Sequence, residues 1–115
     1  MIDDDQAITV AMSVRLRAAG HEMILASTGE AGLVEAGIHR PDVIILDIRM
    51  PGIDGYEVCQ RLKATPELAD IPVIFVSANA TETTRQKAFE VGGFGFISKP
   101  YEPKDVLDAI QSATV

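Results

Sequence analysis

Tryptophan is absent from this chain of 115 residues, and cysteine occurs once. The lone Cys59 cannot close an internal disulfide, the usage expected in a reducing cytoplasm. No apolar run approaches the roughly 18 residues that a membrane-spanning helix needs, and the opening residues do not read as a secretory signal. Basic charge is also in deficit. Lys and Arg number 10 against 17 Asp and Glu, for a formal net charge of −7. A surface for nucleic-acid phosphates rewards the opposite sign, so any effect on DNA would have to come from another domain or a partner. Internal repeats, low-complexity tracts and linkers are missing as well. What remains is one domain over residues 1–115, with 47% hydrophobic and 23% charged residues, ordinary values for a soluble globular protein.

What the chain does have is aliphatic residues in short, regularly spaced blocks. In VIILDIRMPGIDG, residues 43–55, nothing polar interrupts Val43 to Leu46, as in a strand buried on both faces. Asp47 ends that run, and Pro51, Gly52 and Gly55 signal a loop directly after it. The remaining pattern alternates helix and strand. Ile8, Ala11, Met12, Leu16 and Ala19 form a helical stripe that stops at Gly20, a candidate C-terminal cap. Met23, Ile24 and Leu25 read as a short strand, and Glu30 to Ala36 as a small helix. A helix carrying Val58, Cys59 and Leu62 follows the Asp47 loop, and a second buried strand ends at Ser77. A polar helix spans about 81–91, the strand FGFIS covers 94–98, and the last helix starts near Pro103, where a missing N–H costs nothing.

Such alternation predicts βαβ units and a parallel sheet covered on both faces. Ligands of open sheets of this kind bind at the carboxyl ends of the strands. Asp47, Ser77 and Lys99 all fall at or just beyond predicted strand ends, and Asp3, Asp4 and Asp5 follow Ile2. Carboxylates meeting in one pocket repel by roughly 4 kcal/mol per pair at about 4 Å and an effective dielectric near 20. They must therefore take up protons, a cation, or both. Hard oxygen ligands favour Mg²⁺. A dication, an ammonium and a hydroxyl around one carboxylate suit phosphoryl transfer, with the carboxylate as covalent acceptor. Asp47 is the candidate.

The motifs IDDD at the start, LDIRMPGIDG in the middle, VSA at 76–78 and KP at 99–100 together resemble the response-regulator receiver domains of two-component signalling. The resemblance covers nearly the whole chain. It implies a flavodoxin-like (βα)5 three-layer α/β sandwich with a parallel five-stranded sheet in the order 2-1-3-4-5. By the same resemblance, Asp47 takes a phosphoryl group from a phosphohistidine on a histidine kinase or histidine phosphotransfer protein. The domain is then a signalling module that catalyses its own phosphorylation and dephosphorylation, not a conventional enzyme, and it resides in the cytoplasm. Asp4 binds Mg²⁺ directly and Asp3 mostly through water, with Asp47 and the backbone carbonyl of Arg49 completing the protein ligands. Ser77 reorients toward the phosphoryl group, Ala78 offers a backbone N–H, and Lys99 pairs with a phosphoryl oxygen. Phe96 matches the aromatic switch position, and a cis Lys99–Pro100 bond is implied. Output is expected through the fourth helix, the fifth strand and the fifth helix, with a phosphorylation-dependent dimer among the partner readings.

One departure stands out. Only Met1 and Ile2 precede the acids, where the family has a first strand of about five residues, so the first strand is read as truncated. Further aliphatic residues upstream of Met1 are expected, or failing them another segment in the strand position. Rival readings fit less well. A haloacid-dehalogenase-type phosphatase needs a second Asp two residues after the nucleophile, where this chain has Arg49. An EF-hand needs alternating ligands across a twelve-residue loop, and a flavodoxin-like FMN carrier needs a Ser/Thr/Gly phosphate loop. A pseudo-receiver that only binds proteins is the rival from another class, and the intact set of site residues weighs against it.

Overall fold

An Asp or Thr side chain opens each of the first four helices in the computed structural model of the chain, which describes residues 1–114; Val115, the last residue of the expected domain, lies outside the described residues. Asp5 caps α1 (Gln6–Ala18), Thr28 caps α2 (Gly29–His39), Asp54 caps α3 (Gly55–Ala64) and Thr81 caps α4 (Glu82–Glu90). Each side-chain oxygen accepts a backbone N–H that the helix itself cannot satisfy, an interaction worth about 1 kcal/mol. The fifth helix, α5 (Pro103–Thr114), starts on proline as the sequence predicts.

Three strands form the sheet: β1 (Ile44–Asp47), β2 (Val73–Ser77) and β3 (Gly95–Ser98), parallel and in the order β1-β2-β3. Every residue of β1 and β2 is buried, which explains why neither run alternates with polar residues. Leu46, Ile44 and Phe75 pack on one face with Ala36 of α2, Val58, Cys59 and Leu62 of α3 and Ala88 of α4. Ile45, Ile74 and Val76 pack on the other with Met12 and Leu16 of α1 and Val106 and Ile110 of α5. The result is an α/β sandwich of three layers.

The structure corrects two expectations. Among the described residues the sheet has three strands, not five. Met23–Leu25 forms no strand, and the start of the chain contributes only isolated parallel bridges, from Ile2 to Ala26 on one side and to Leu46 on the other. A ladder needs consecutive rungs, and among the described residues Ile2 supplies one on each side. In α1 the buried face is Thr9, Met12, Ser13 and Leu16, whereas Ala11 and Ala19 of the expected stripe are exposed. Thr9 and Ser13 can turn inward because their hydroxyls donate to the carbonyls of Gln6 and Val10 within the same helix. The helix ends as expected before Gly20, whose φ of 96° suits glycine.

Candidate functional site

Parallel register brings three strand ends side by side. Asp47 is the last residue of β1 and pairs with Val76, and Ser77 is the last of β2 and pairs with Ser98. The Lys99 N–H then donates to the Ser77 carbonyl at 2.9 Å, which fixes the lysine one residue past the end of β3. From the other side, the single rung at Ile2 delivers Asp3: the Asp3 N–H donates to the Ala26 carbonyl, and the Asp47 N–H to the Ile2 carbonyl. Backbone pairing alone thus converges Asp3, Asp47, Ser77 and Lys99.

The side chains form a buried charged cluster. Asp3 is 1% exposed, Asp47 5% and Ser77 2%, while Asp4 faces solvent. One carboxylate oxygen from each of Asp3, Asp4 and Asp47 lies within 4.8 Å of the others. Lys99 Nζ donates to Asp3 Oδ2 at 3.0 Å and stands 3.4 Å from Asp47 Oδ1. One ammonium contacts two of the three carboxylates. Burial, then the Asp3 charge, pushes the Asp47 carboxyl up to about 6 against the pull of Lys99. Burial works against the Lys99 charge, yet the hydrogen bond to Asp3 and the Asp47 carboxylate hold its pKa above the ordinary value. An excess of clustered, oxygen-only donors fits a hard divalent cation.

The neighbouring residues complete the pocket wall. Arg49 and Ala78 are exposed in the loops directly after Asp47 and Ser77. Ser77 Oγ accepts the Asn79 N–H at 3.1 Å, which leaves its own proton free to donate. The Lys99–Pro100 bond is cis. Phe96 sits half-buried in β3, opposite Phe75, with the Arg85 guanidinium 4.9 Å above its ring. Asp5 stands apart as the α1 cap, although its N–H donates to Asp3 Oδ1 at 2.9 Å.

Two residues were not singled out from the sequence. Gly55 packs so tightly that a side-chain carbon there would run into the Asp47 carbonyl oxygen and the Ile48 Cα. Its spacing after Asp47 was visible, but only as a turn signal. Tyr101 follows Lys99–Pro100, and its hydroxyl is buried without a protein partner. Burial and the charges of Asp3, Asp47 and Asp5 raise its pKa. Its position two residues after the pocket lysine was the available clue.

Acids and an ammonium gathered at the carboxyl ends of a parallel sheet define an α/β domain built to handle phosphoryl groups. The sequence matches the response regulator receiver domain over residues 1–111, and the chain belongs to that family. It is 38% identical over 109 residues to the transcriptional regulatory protein AfsQ1 of Streptomyces coelicolor, covering 95% of this chain and 47% of that protein. It is 34% identical over 112 residues to the DNA-binding dual master transcriptional regulator RpaA of Synechocystis, covering 97% of this chain and 46% of that one. The chain therefore spans about half the length of these curated relatives. Chemotaxis protein CheY4 of Vibrio cholerae superposes with a TM-score of 0.92 at 28% identity, over 97% of this chain and 93% of that one. A CheY-like receiver domain from Methanospirillum hungatei gives 0.89 at 26% identity, over 98% and 89%. The domain is a phosphoacceptor module of the two-component type, not a conventional enzyme. Among the described residues, no helix is long and apolar enough to cross a membrane.

Proposed function

We propose that Asp47 is the phosphoacceptor, that residues 1–115 act as one receiver unit, and that the donor is a phosphohistidine on a histidine kinase or histidine phosphotransfer protein. The observation that carries this is the buried Asp47 carboxylate, within 4.8 Å of Asp3 and Asp4 oxygens and 3.4 Å from Lys99 Nζ. In the transfer, an Asp47 oxygen attacks phosphorus as the P–N bond breaks, and the electron pair leaves on the imidazole nitrogen. The transition state spreads charge over the equatorial oxygens, so positioning and electrostatics do most of the work. Lys99 turns part of its charge to one such oxygen, the Ser77 hydroxyl donates to another, and the Ala78 N–H is available to a third.

The donor set fits Mg²⁺, with Asp4 as direct ligand, Asp3 through water, and Asp47 and the Arg49 carbonyl beside it. When bound, the ion neutralises the acid cluster and the charge that develops on the phosphoryl oxygens. Output leaves through α4, β3 and α5, with Ser77 and Phe96 as the switching pair, and a phosphorylation-dependent dimer is one form it takes. Two relatives are named as transcriptional regulators, so an effect on transcription through another domain or protein follows that precedent; this acidic domain itself contacts neither nucleic acid nor membrane, and works in the cytoplasm.

The test is labelling with acetyl phosphate and Mg²⁺, read by mass spectrometry of the tryptic peptide containing Asp47. The wild type gains one phosphoryl group there and Asp47→Asn gains none. Unchanged labelling of the variant overturns the assignment.

A further inference from the structure

Tyr101 joins two environments. Its ring packs against the cluster that holds Met12 and Leu16 of α1 and Val106 and Ile110 of α5. Its hydroxyl is also buried, and among the described residues it is the one buried side-chain nitrogen or oxygen without a hydrogen-bond partner. A buried phenol normally finds a partner. Left alone, it carries a desolvation cost that a phenylalanine ring in the same space would not.

The charges that act on the hydroxyl place it beside the acid pocket. Burial raises its pKa, and three carboxylates add to the rise, Asp3 most, then Asp47 and Asp5. Coulomb interactions weaken with distance, so Asp3 is the acid that this group feels most. The chain path agrees: Tyr101 stands two residues after Lys99, whose N–H is fixed on the Ser77 carbonyl at the end of β2. At neutral pH the phenol keeps its proton and is a donor surrounded by acceptors.

Asp3 is the acceptor whose needs change during transfer. Its side chain is fully buried. Its Oδ1 accepts the Asp5 N–H at 2.9 Å, and its Oδ2 accepts from Lys99 Nζ at 3.0 Å. Among the described residues, Lys99 is the only side chain that donates to it. When Lys99 turns toward a phosphoryl oxygen, Asp3 loses part of that support, and an uncompensated buried carboxylate is costly.

We propose that Tyr101 is a positioning residue whose hydroxyl takes over Asp3 Oδ2, directly or through one water, as Lys99 turns to the phosphoryl group. The inference rests on Asp47 being the phosphoacceptor. The phenol does not touch the reacting atoms. It compensates Asp3 and so frees the lysine to move. The resting state bears the cost of an unpartnered hydroxyl, and the phosphorylated state relieves it. Such a difference between two states is what shifts their equilibrium.

The test is Tyr101→Phe, which removes the hydroxyl and keeps the ring. In metal-free buffer its unfolding midpoint should equal or exceed that of the wild type, because no hydrogen bond is lost. With Lys99→Ala as the starting chain, the same substitution should lower the midpoint by several degrees, because the phenol then serves Asp3 at rest. With Mg²⁺ present, Tyr101→Phe should weaken beryllofluoride binding about tenfold, the scale of one hydrogen bond to a charged group. The Tyr101 Cζ resonance of the wild type should move when beryllofluoride is added, and stay in place in Asp47→Asn. Unchanged beryllofluoride affinity in Tyr101→Phe overturns the proposal and leaves Asp47 as phosphoacceptor. Equal midpoint shifts in the two starting chains overturn it as well. A wild type that binds no beryllofluoride overturns both readings together.

Discussion

Lys99 Nζ lies 3.0 Å from Asp3 Oδ2, nearer than its 3.4 Å to Asp47 Oδ1. The ammonium is thus held chiefly by the acid that comes from the far end of the chain, and the pair ties the start of the sequence to the end of β3. The Asp3 side chain is fully buried, so removing the lysine leaves an uncompensated charge. Lys99→Ala should lower the unfolding free energy in metal-free buffer by about 3–5 kcal/mol, the usual cost of breaking a buried pair. Millimolar Mg²⁺ should restore part of it. Urea unfolding with and without Mg²⁺ checks this, and a loss below about 1 kcal/mol would show that the pair is not closing the pocket.

The raised pKa of Asp47 has a definite sign in stability. Its value of about 6 in the fold lies above the 3.8 of an unperturbed carboxyl, so the folded chain holds this proton more tightly than the unfolded one. The ionised carboxylate therefore costs stability at neutral pH; the cost is relieved as pH falls through about 6 and is gone below 3.8. In metal-free buffer, the stability difference between Asp47→Asn and wild type should be largest near pH 7 and shrink toward pH 4. Mg²⁺ competes with the proton and should move the Asp47 titration, read from its carboxyl carbon resonance, to lower pH. A resonance that titrates near 4 without metal would contradict the assignment.

Much of the site was legible because each part rests on a local rule. Four aliphatic residues ending in Asp47 allow only a buried strand with its acid at the tip, and parallel pairing then puts Ser77 and Lys99 beside it. Asp3 was legible as an acid but not as the Lys99 partner, since that contact spans the chain. The missing strands were harder. Met23 to Leu25 has strand composition, yet strands depend on neighbours, and its neighbour is a single rung at Ile2. Thr9 and Ser13 misled the reading of α1 because hydroxyls satisfied within a helix can face the core. Tyr101 was invisible for the converse reason: its ring packs with the core while its hydroxyl stays unpaired.

Two glycines of the same type should respond in opposite directions. At Gly55, a methyl group would meet the Asp47 carbonyl oxygen and the Ile48 Cα, neither of which can swing aside. Gly55→Ala should cost about 1–3 kcal/mol through overpacking and should slow labelling of Asp47, whose backbone must shift. Gly37 lies within α2 with nothing near its added carbon. Gly37→Ala should stabilise by roughly 0.5–1 kcal/mol and leave labelling unchanged. Thermal melts and acetyl phosphate labelling of both variants decide the matter; a harmless Gly55→Ala would mean that the loop after β1 is looser than its packing.

The last prediction concerns α4, which buries only Ala88. It is held mainly from outside its own hydrophobic face. Tyr56 of α3 donates its hydroxyl to the Thr84 carbonyl at 3.2 Å and carries Lys87 4.6 Å above its ring, and Arg85 covers Phe96 at 4.9 Å. A helix with so little buried apolar surface opens at low free energy, and one of its ties, from Arg85, ends on Phe96, in the strand that leads directly to Lys99. A phosphoryl group that draws on Ser77 and Lys99 should therefore act on this sparsely buried helix through its neighbour β3. Beryllofluoride with Mg²⁺ should change amide exchange in residues 82–90 more than in α1, which anchors Met12 and Leu16 in the core. Arg85→Ala should raise α4 exchange before any ligand is added and shrink the further change on adding it. If exchange in α4 responds no more than exchange in α1, the signal does not leave by this helix.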